Sequence, residues 1–308
     1  MSSLRIVSLV PSATETVVRL GLGSALVGRS HACNFPPEVE HLPALTRPRL
    51  AERSSQGIHD EVRARLADGL ALFDVDLEQL RALAPTHLLL QDQCGVCAVS
   101  PRDLETALAA WLGHRPEVVR LAPHQLADVW RDIESIGHAL GRSGRAEALT
   151  KDLSHRLSDL AEAVGKDEER PSVACIEWLE PILIAGHWVP ELVRLAGGRP
   201  VLAETGAPSR EVSLETLRES AAEVWLLQPC GFDLPTVRSA WQAAAALRGA
   251  ARLVEAPGSP PQRIALCDGD AYFNRPGPRL VESAELLAEV LHPDRVPTRH
   301  RGSGWHPA

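Results

Sequence analysis

Aromatic residues are scarce in this chain of 308: there are one Tyr and four Phe, although seven Trp are present. With so few rings, the placement of each Trp carries more weight than usual. Positive charge is also short, with 32 Lys and Arg against 40 Asp and Glu and a net charge of −8. That balance argues against a nucleic-acid partner, because a phosphate backbone is held by a basic surface. No apolar run approaches the roughly 20 residues needed to cross a bilayer, so no membrane insertion is expected. The opening Met-Ser-Ser-Leu-Arg passes straight into Ile6–Val10, with no basic patch before an apolar core, no cleavage site and no lipid-attachment Cys. A cytoplasmic location is the expectation, and there the six Cys should be free, metal-bound or catalytic rather than paired. Hydrolase and phosphate-loop signatures are missing too: no Gly-x-Ser-x-Gly, no His-Glu-x-x-His and no Gly-x-x-x-x-Gly-Lys-Ser/Thr. Nothing in the motifs requires an enzyme.

What is present is an alternation of strand-like and helical runs. Ile6–Val10, Leu70–Phe73, His87–Leu90 and Val118–Leu121 read as strands, with helices at Ala13–Leu20, Asp76–Leu83 and Pro101–Trp111. Ser12 and Glu15, three residues apart at a helix start, fit a capping box and are also candidates for ligand contact. From Gln125 to about Gly165 the pattern is helical, broken at Gly141–Gly144. Its second part, Arg145 to about Val164, has Leu149, Leu153, Leu157 and Leu160 on one face. The alternation then resumes with strands Val173–Glu177, Ile182–Ala185, Val224–Leu227 and Ile264–Cys267. Helices Pro190–Leu195, Ser213–Glu219, Thr236–Leu247 and Gly277–Leu291 lie among them. The expected fold is α/β, two Rossmann-like lobes with mainly parallel sheets bridged by a long α-helix. The expected domains are 1–143, a bridging helix 144–168, a second lobe 169–292 and a flexible tail 293–308, rich in Pro, Arg, His and Gly.

Two thiol-bearing loops follow strand-like runs: His31 with Cys33, and Cys94 with Cys97 in a Cys-x-x-Cys. Three sulfurs and one imidazole form a familiar ligand set for zinc, and would also suit iron or a cofactor's cobalt. A redox dithiol at Cys94 and Cys97 is a second reading, and buried thiols that only pack are a third.

Several of these segments carry a resemblance. Arg5–Arg29, with Arg-Ile-Val-Ser-Leu-Val-Pro-Ser-Ala-Thr-Glu-Thr and then Gly-Leu-Gly and Leu-Val-Gly-Arg, resembles the opening of class III substrate-binding proteins. These are helical-backbone receptors for cobalamin, iron-siderophores, haem and metal ions. Asp76–Leu80 and Ala84–Leu90 resemble a further segment of the family, and the likeness runs from about Leu4 to His292. Ser30–Pro37 and Gln91–Cys97 are similar to loops of a cobalamin-binding subgroup. The resemblance implies a two-lobed receptor holding a corrinoid or other metal-containing small molecule in the cleft between its lobes, with an ABC permease as the partner such receptors serve. A cytoplasmic metalloenzyme or metal-handling protein on the same scaffold is an alternative, as is a thiol-redox protein.

On that template the loops after the strands become ligand candidates. Glu177, Trp178, His187 and Trp188 flank the first two strands of the second lobe; an indole can cover a flat macrocycle and an imidazole can ligate its metal. Cys230 follows the strand Val224–Leu227. Asp270, Tyr272, Asn274 and Arg275 follow Ile264–Cys267, where Asp270 and Arg275 could equally form a structural ion pair. Arg210, before the helix at Ser213, would suit an anionic or amide-bearing ligand.

Overall fold

The computed structural model describes residues 4–49, 54–67, 73–91, 116–165, 170–252 and 263–308. The chain divides into two compact units. Met1–Glu52, Asp60–Pro123 and Ala127–Asp152 make the first; Arg53–His59, His124–Leu126 and Leu153–Ala308 make the second. The expected helix Pro101–Trp111, most of the expected strand Leu70–Phe73, and both Cys94 and Cys97 lie outside the described residues.

In chain order the first part of the molecule holds β1 (Ile6–Ser8), α1 (Pro11–Arg19), β2 (Leu26–Arg29), β3 (Thr46–Pro48) and α2 (Ser55–Ala67). β4 (Phe73–Val75), α3 (Leu77–Leu83), β5 (His87–Gln91) and β6 (Glu117–Leu121) follow. The short apolar run at Ile6 is hydrogen-bonded on both sides, and the sheet order is β2-β1-β5-β6, parallel throughout. A strand covered on both faces reads as a continuous apolar run, as Leu88–Leu90 does. Val7, Leu9, Leu45, Leu80, Leu88 and Leu90 form the core on one side. α1 starts earlier than its periodicity suggests, because Pro11 takes the first turn, where a missing N–H costs nothing. Val10 is therefore the N-cap, and the capping box expected from Ser12 and Glu15 does not form. Asp76 does cap α3, accepting from the Gln79 N–H at 2.9 Å.

α4 (Leu126–Ala139) and α5 (Ser143–Val164) meet at Gly141, whose φ of +66° allows the chain to reverse. α5 is 22 residues long, about 33 Å at 1.5 Å per residue. Its first turns belong to the first unit, where Arg145 donates to the Leu20 carbonyl at 3.0 Å. Its last turns belong to the second, where Arg156 pairs with Glu285 at 2.8 Å.

The second unit contains β7 (Ser172–Trp178), β8 (Ile182–Ile184), α6 (Val189–Leu195), β9 (Arg199–Pro200), β10 (Arg210–Val212) and α7 (Leu214–Glu219). After these come β11 (Val224–Leu227), α8 (Leu234–Ala243), α9 (Ala245–Arg252), β12 (Arg263–Cys267), α10 (Leu280–Leu291) and β13 (Trp305–Pro307). The order is β10-β8-β7-β11-β12-β13, with β9 beside the start of β7. Parallel pairing holds for β7, β11 and β12 at the centre, while the pairs β7–β8, β8–β10 and β12–β13 are antiparallel. The expected mainly parallel sheet is thus mixed here. Three residues between β7 and β8 can close only a hairpin, since a parallel crossover needs a dozen or more.

Two further expectations are corrected. The single helix expected at Thr236–Leu247 is two, α8 and α9, separated at Ala244; Asp233 caps the first and Pro235 sits in its first turn. The tail expected to be flexible instead adds β13 to the edge of β12, with Cys267 opposite Trp305. Its anchor is Glu289, 2% exposed, which accepts from the Arg299 N–H, the His300 N–H and the Trp305 indole at 2.7, 2.9 and 3.0 Å.

Candidate ligand-binding loops

In open α/β sheets ligands meet the carboxyl ends of parallel strands. In the second unit those ends are Glu177–Trp178 on β7, Gln228–Asp233 after β11 and Asp268–Gly277 after β12. Backbone hydrogen bonds tie the three together. The Cys230 N–H donates to the Glu177 carbonyl at 3.2 Å, and the Asp270 N–H to the Phe232 carbonyl at 3.0 Å. Gly269 lets the loops touch: a Cβ there would lie 2.1 Å from the Pro229 oxygen.

Much of the polar loop after β12 is used in holding itself. The Asn274 amide donates to the carbonyls of Gln228 at 3.0 Å and Gly269 at 2.8 Å. Arg275, 6% exposed, pairs with Asp270 at 2.7 Å, the structural alternative foreseen for that pair. Tyr272 lies beneath the Arg279 guanidinium at 5.6 Å and meets the edge of His300 at 5.8 Å. The two tryptophans correct an expectation. Trp178 is 9% exposed, packs at 5.3 Å on Phe232 and donates to the Ser55 carbonyl. Trp188 is 6% exposed and donates to the Phe273 carbonyl at 2.7 Å. Indoles with so little exposed surface and a satisfied N–H are core anchors, with no open face for a macrocycle.

Other candidates keep accessible chemistry. Cys230 is an exposed free thiol. Burial pushes the Glu177 carboxyl above the usual carboxylate range, opposed by a hydrogen bond from the Ser209 hydroxyl. The same cause raises Asp268, although the Ala271 N–H donates to it at 2.7 Å. Arg210 stands exposed on the edge strand β10, its Nε donating to the Leu202 carbonyl at 2.8 Å. His187 adopts φ +51°, unusual for a side-chain-bearing residue, and is pinned there by the Ala207 carbonyl and the Gly206 N–H. Its ring stacks on Trp188 at 5.6 Å and faces His124 at 5.7 Å. Burial, then His124, lowers its pKa, so the neutral, ligating imidazole is favoured.

Two residues went unnoticed in the sequence. His124 is an isolated loop histidine until folding sets it beside His187. Gln228 is fully buried with neither amide atom partnered among the described residues. A polar residue directly after the apolar Val224–Leu227 was its only signal.

In the first unit Ser12 and Glu15 are 2% and 3% exposed on α1, and the Ser12 hydroxyl has no partner among the described residues. Cys33 is fully buried, its sulfur 3.0 Å from the Thr14 hydroxyl and 3.1 Å from that of Ser30. His31 is fixed by the Thr46 hydroxyl at 2.7 Å and lies 5.2 Å from the Phe73 ring. Their expected partners Cys94 and Cys97 are outside the described residues, among which no cluster of three or more His, Cys, Asp or Glu could hold a metal ion.

Comparison with known proteins agrees with this architecture. The vitamin B12-binding protein of Vibrio cholerae is 23% identical over 296 residues, covering 93% of this chain and 88% of its own. YvrC of Bacillus subtilis, an uncharacterized ABC transporter substrate-binding lipoprotein, is 24% identical over 299 residues, covering 94% and 80%. The crystal structure of a periplasmic heme binding protein from Pseudomonas aeruginosa superposes with a TM-score of 0.71 over 99% of this chain and 97% of that one, at 21% identity. The family described as periplasmic binding protein matches residues 6–249, from β1 into α9. A match over that much of both units shows that this chain belongs to the periplasmic binding protein family.

Proposed function

We propose that this receptor binds a corrinoid, a cobalt-centred tetrapyrrole fringed with amides. The observation that carries the reading is the similarity, across 93% of the chain, to a protein named for vitamin B12 binding. The loops of the second unit suit such a ligand. Glu177 and Gln228 offer hydrogen bonds to amides, Cys230 in the loop after β11 and Arg210 on β10 stand exposed, and neutral His187 can ligate a metal. Asp270, Asn274, Arg275, Tyr272, Trp178 and Trp188 position these loops in the proposal, and Ser12 and Glu15 are separate ligand candidates within the first unit. Titration of the purified chain with cobalamin and cobinamide, followed by the corrinoid visible spectrum and by calorimetry, tests it. Saturable binding at micromolar ligand is expected; the absence of both a spectral change and heat would overturn it.

A haem ligand is the second reading, favoured by the paired imidazoles of His124 and His187. Hemin titration distinguishes them, since iron ligation by His187 would move the Soret band and His187→Ala would abolish the shift. Zinc or iron at His31, Cys33, Cys94 and Cys97 is a separate proposal, motivated by hydroxyls that fix the Cys33 sulfur. Elemental analysis of anaerobically purified protein decides it. A cytoplasmic site of action is proposed from the free thiols Cys33, Cys175, Cys230 and Cys267, which suit a reducing compartment. Cell fractionation tests this, and recovery outside the cytoplasm would instead support service to an ABC permease.

A further inference from the structure

The second unit has another concave site at the amino end of β7, the opposite end of the strand from the ligand loops. Arg170 comes two residues before β7 begins at Ser172. Arg199 lies on β9 and is paired in register with Ser172. Arg194 sits in the last turn of α6. Together with Gly198 and Pro200 these three arginines line one cavity of about 230 Å³. Gly198 keeps its floor compact, since a Cβ there would meet Leu291, Val193 and Val173 at 2.8 to 3.0 Å.

Among the described residues the three charges have no carboxylate partner. Arg194 donates to the Thr205 hydroxyl at 2.6 Å, while the Arg170 and Arg199 side chains make no hydrogen bond or ion pair among the described residues. Among the described residues none of the three is within ion-pair distance of a carboxylate. Like charges gathered in one concavity repel one another unless an anion joins them. We propose that Arg170, Arg194 and Arg199 form an oxyanion site that takes a compact phosphate-bearing ligand. Each guanidinium is a rigid fork matched to two oxygens. One carboxylate satisfies one fork, whereas a pyrophosphate presents enough oxygens for all three and a phosphate can share its oxygens among them. The volume agrees, because cavities for larger organic ligands begin at about 300 Å³.

The site is independent of the corrinoid reading, and its test keeps the two apart. Calorimetric titration of the full chain with inorganic phosphate and with pyrophosphate at low ionic strength should give saturable heat. Arg170→Gln with Arg199→Gln should weaken that binding by about tenfold or more, as expected for losing two charge-assisted contacts. Pyrophosphate should raise the melting temperature of the native chain and leave the double variant unmoved. In anion-free buffer the variant should melt no lower than the native chain, since these two side chains bond to nothing among the described residues. Flotation with phosphatidylglycerol vesicles, against phosphatidylcholine ones, separates the two sources of phosphate. Binding to anionic vesicles without binding to free phosphate assigns the site to a lipid headgroup, and the reverse assigns it to a soluble ligand. Cobalamin titration should be the same in native and variant protein. Equal pyrophosphate binding by both, or no response to phosphate, pyrophosphate and anionic vesicles alike, overturns the proposal. So does a lowered melting temperature in anion-free buffer, which would mark the arginines as structural.

Discussion

At Asp132, on α4, one carboxylate oxygen is buried without a partner among the described residues. Burial, and then the charge of Asp128, pushes its pKa up to about 7. The folded pKa is therefore above the unfolded one, and the native state is penalised progressively as pH rises from about 4, the ordinary aspartate value, to about 7. Asp132→Asn should gain stability across that window and hold a constant advantage above it. Allowing for its partial exposure, the gain should level off at about 1–2 kcal/mol. Thermal melts of the two chains between pH 4 and 8 test this; parallel curves would contradict it. His187 has the opposite sign. Its folded pKa is lowered, so it stays neutral below the ordinary value of about 6.5. If it ligates the metal of a bound tetrapyrrole, affinity should stay level as pH falls from 8 to about 6.5, and weaken only below that. The type of these residues was readable in the sequence, but their environment was not. Nothing local distinguishes Asp132 from an exposed helix aspartate, or His124 from a loop histidine without a neighbour.

Among the elements, the carboxyl-terminal strand is the most informative. Glu289 on α10 is a buried charge matched by three N–H donors from the segment Arg299–Trp305. Deleting residues 293–308 would leave that carboxylate buried without them and bare the edge of β12. A loss of about 3–5 kcal/mol in chemical denaturation is expected, the range for breaking a buried charged contact. A second tie is pH-sensitive. Glu285 raises the pKa of His300, whose contribution is fully present below about 6.5 and fades as pH rises through that raised value. Burial would raise Glu285, but His300 and Arg156 outweigh it and lower its pKa, so its contribution fades only as acid reaches that lowered value. Hydrogen exchange at the Trp305 and His306 amides should therefore be slowest between about pH 4.5 and 6.5, after correction for intrinsic rates. Protection unchanged from pH 5 to 9 would refute the tie. Composition misled here, since Pro, Gly, Arg and His dominate a tail that Arg299, His300 and Trp305 nevertheless fasten to Glu289.

Across the whole molecule the thiols report on burial. Among the four described cysteines, Cys33, Cys175 and Cys267 are buried and Cys230 is exposed. Burial pushes the Cys175 thiol up to about 12 and raises Cys267 as well, leaving little thiolate in either. Brief alkylation of the native chain at pH 8, mapped by peptide mass, should label Cys230 and spare the other three until denaturant is added. Rapid labelling of Cys175 or Cys267 would contradict the burial described. By itself the sequence determined the α/β class, the order of the main strands and helices, and the long helix ending at Val164. Those features rest on periodicity and on Pro, Gly and Asp signals acting over a few residues. Only tertiary structure decided that Trp178 and Trp188 are anchors, that the tail closes a sheet edge, that His124 meets His187, and that Arg170, Arg194 and Arg199 share a cavity. Each of these depends on contacts between residues distant in the chain or on neighbouring elements, whose geometry no local pattern encodes.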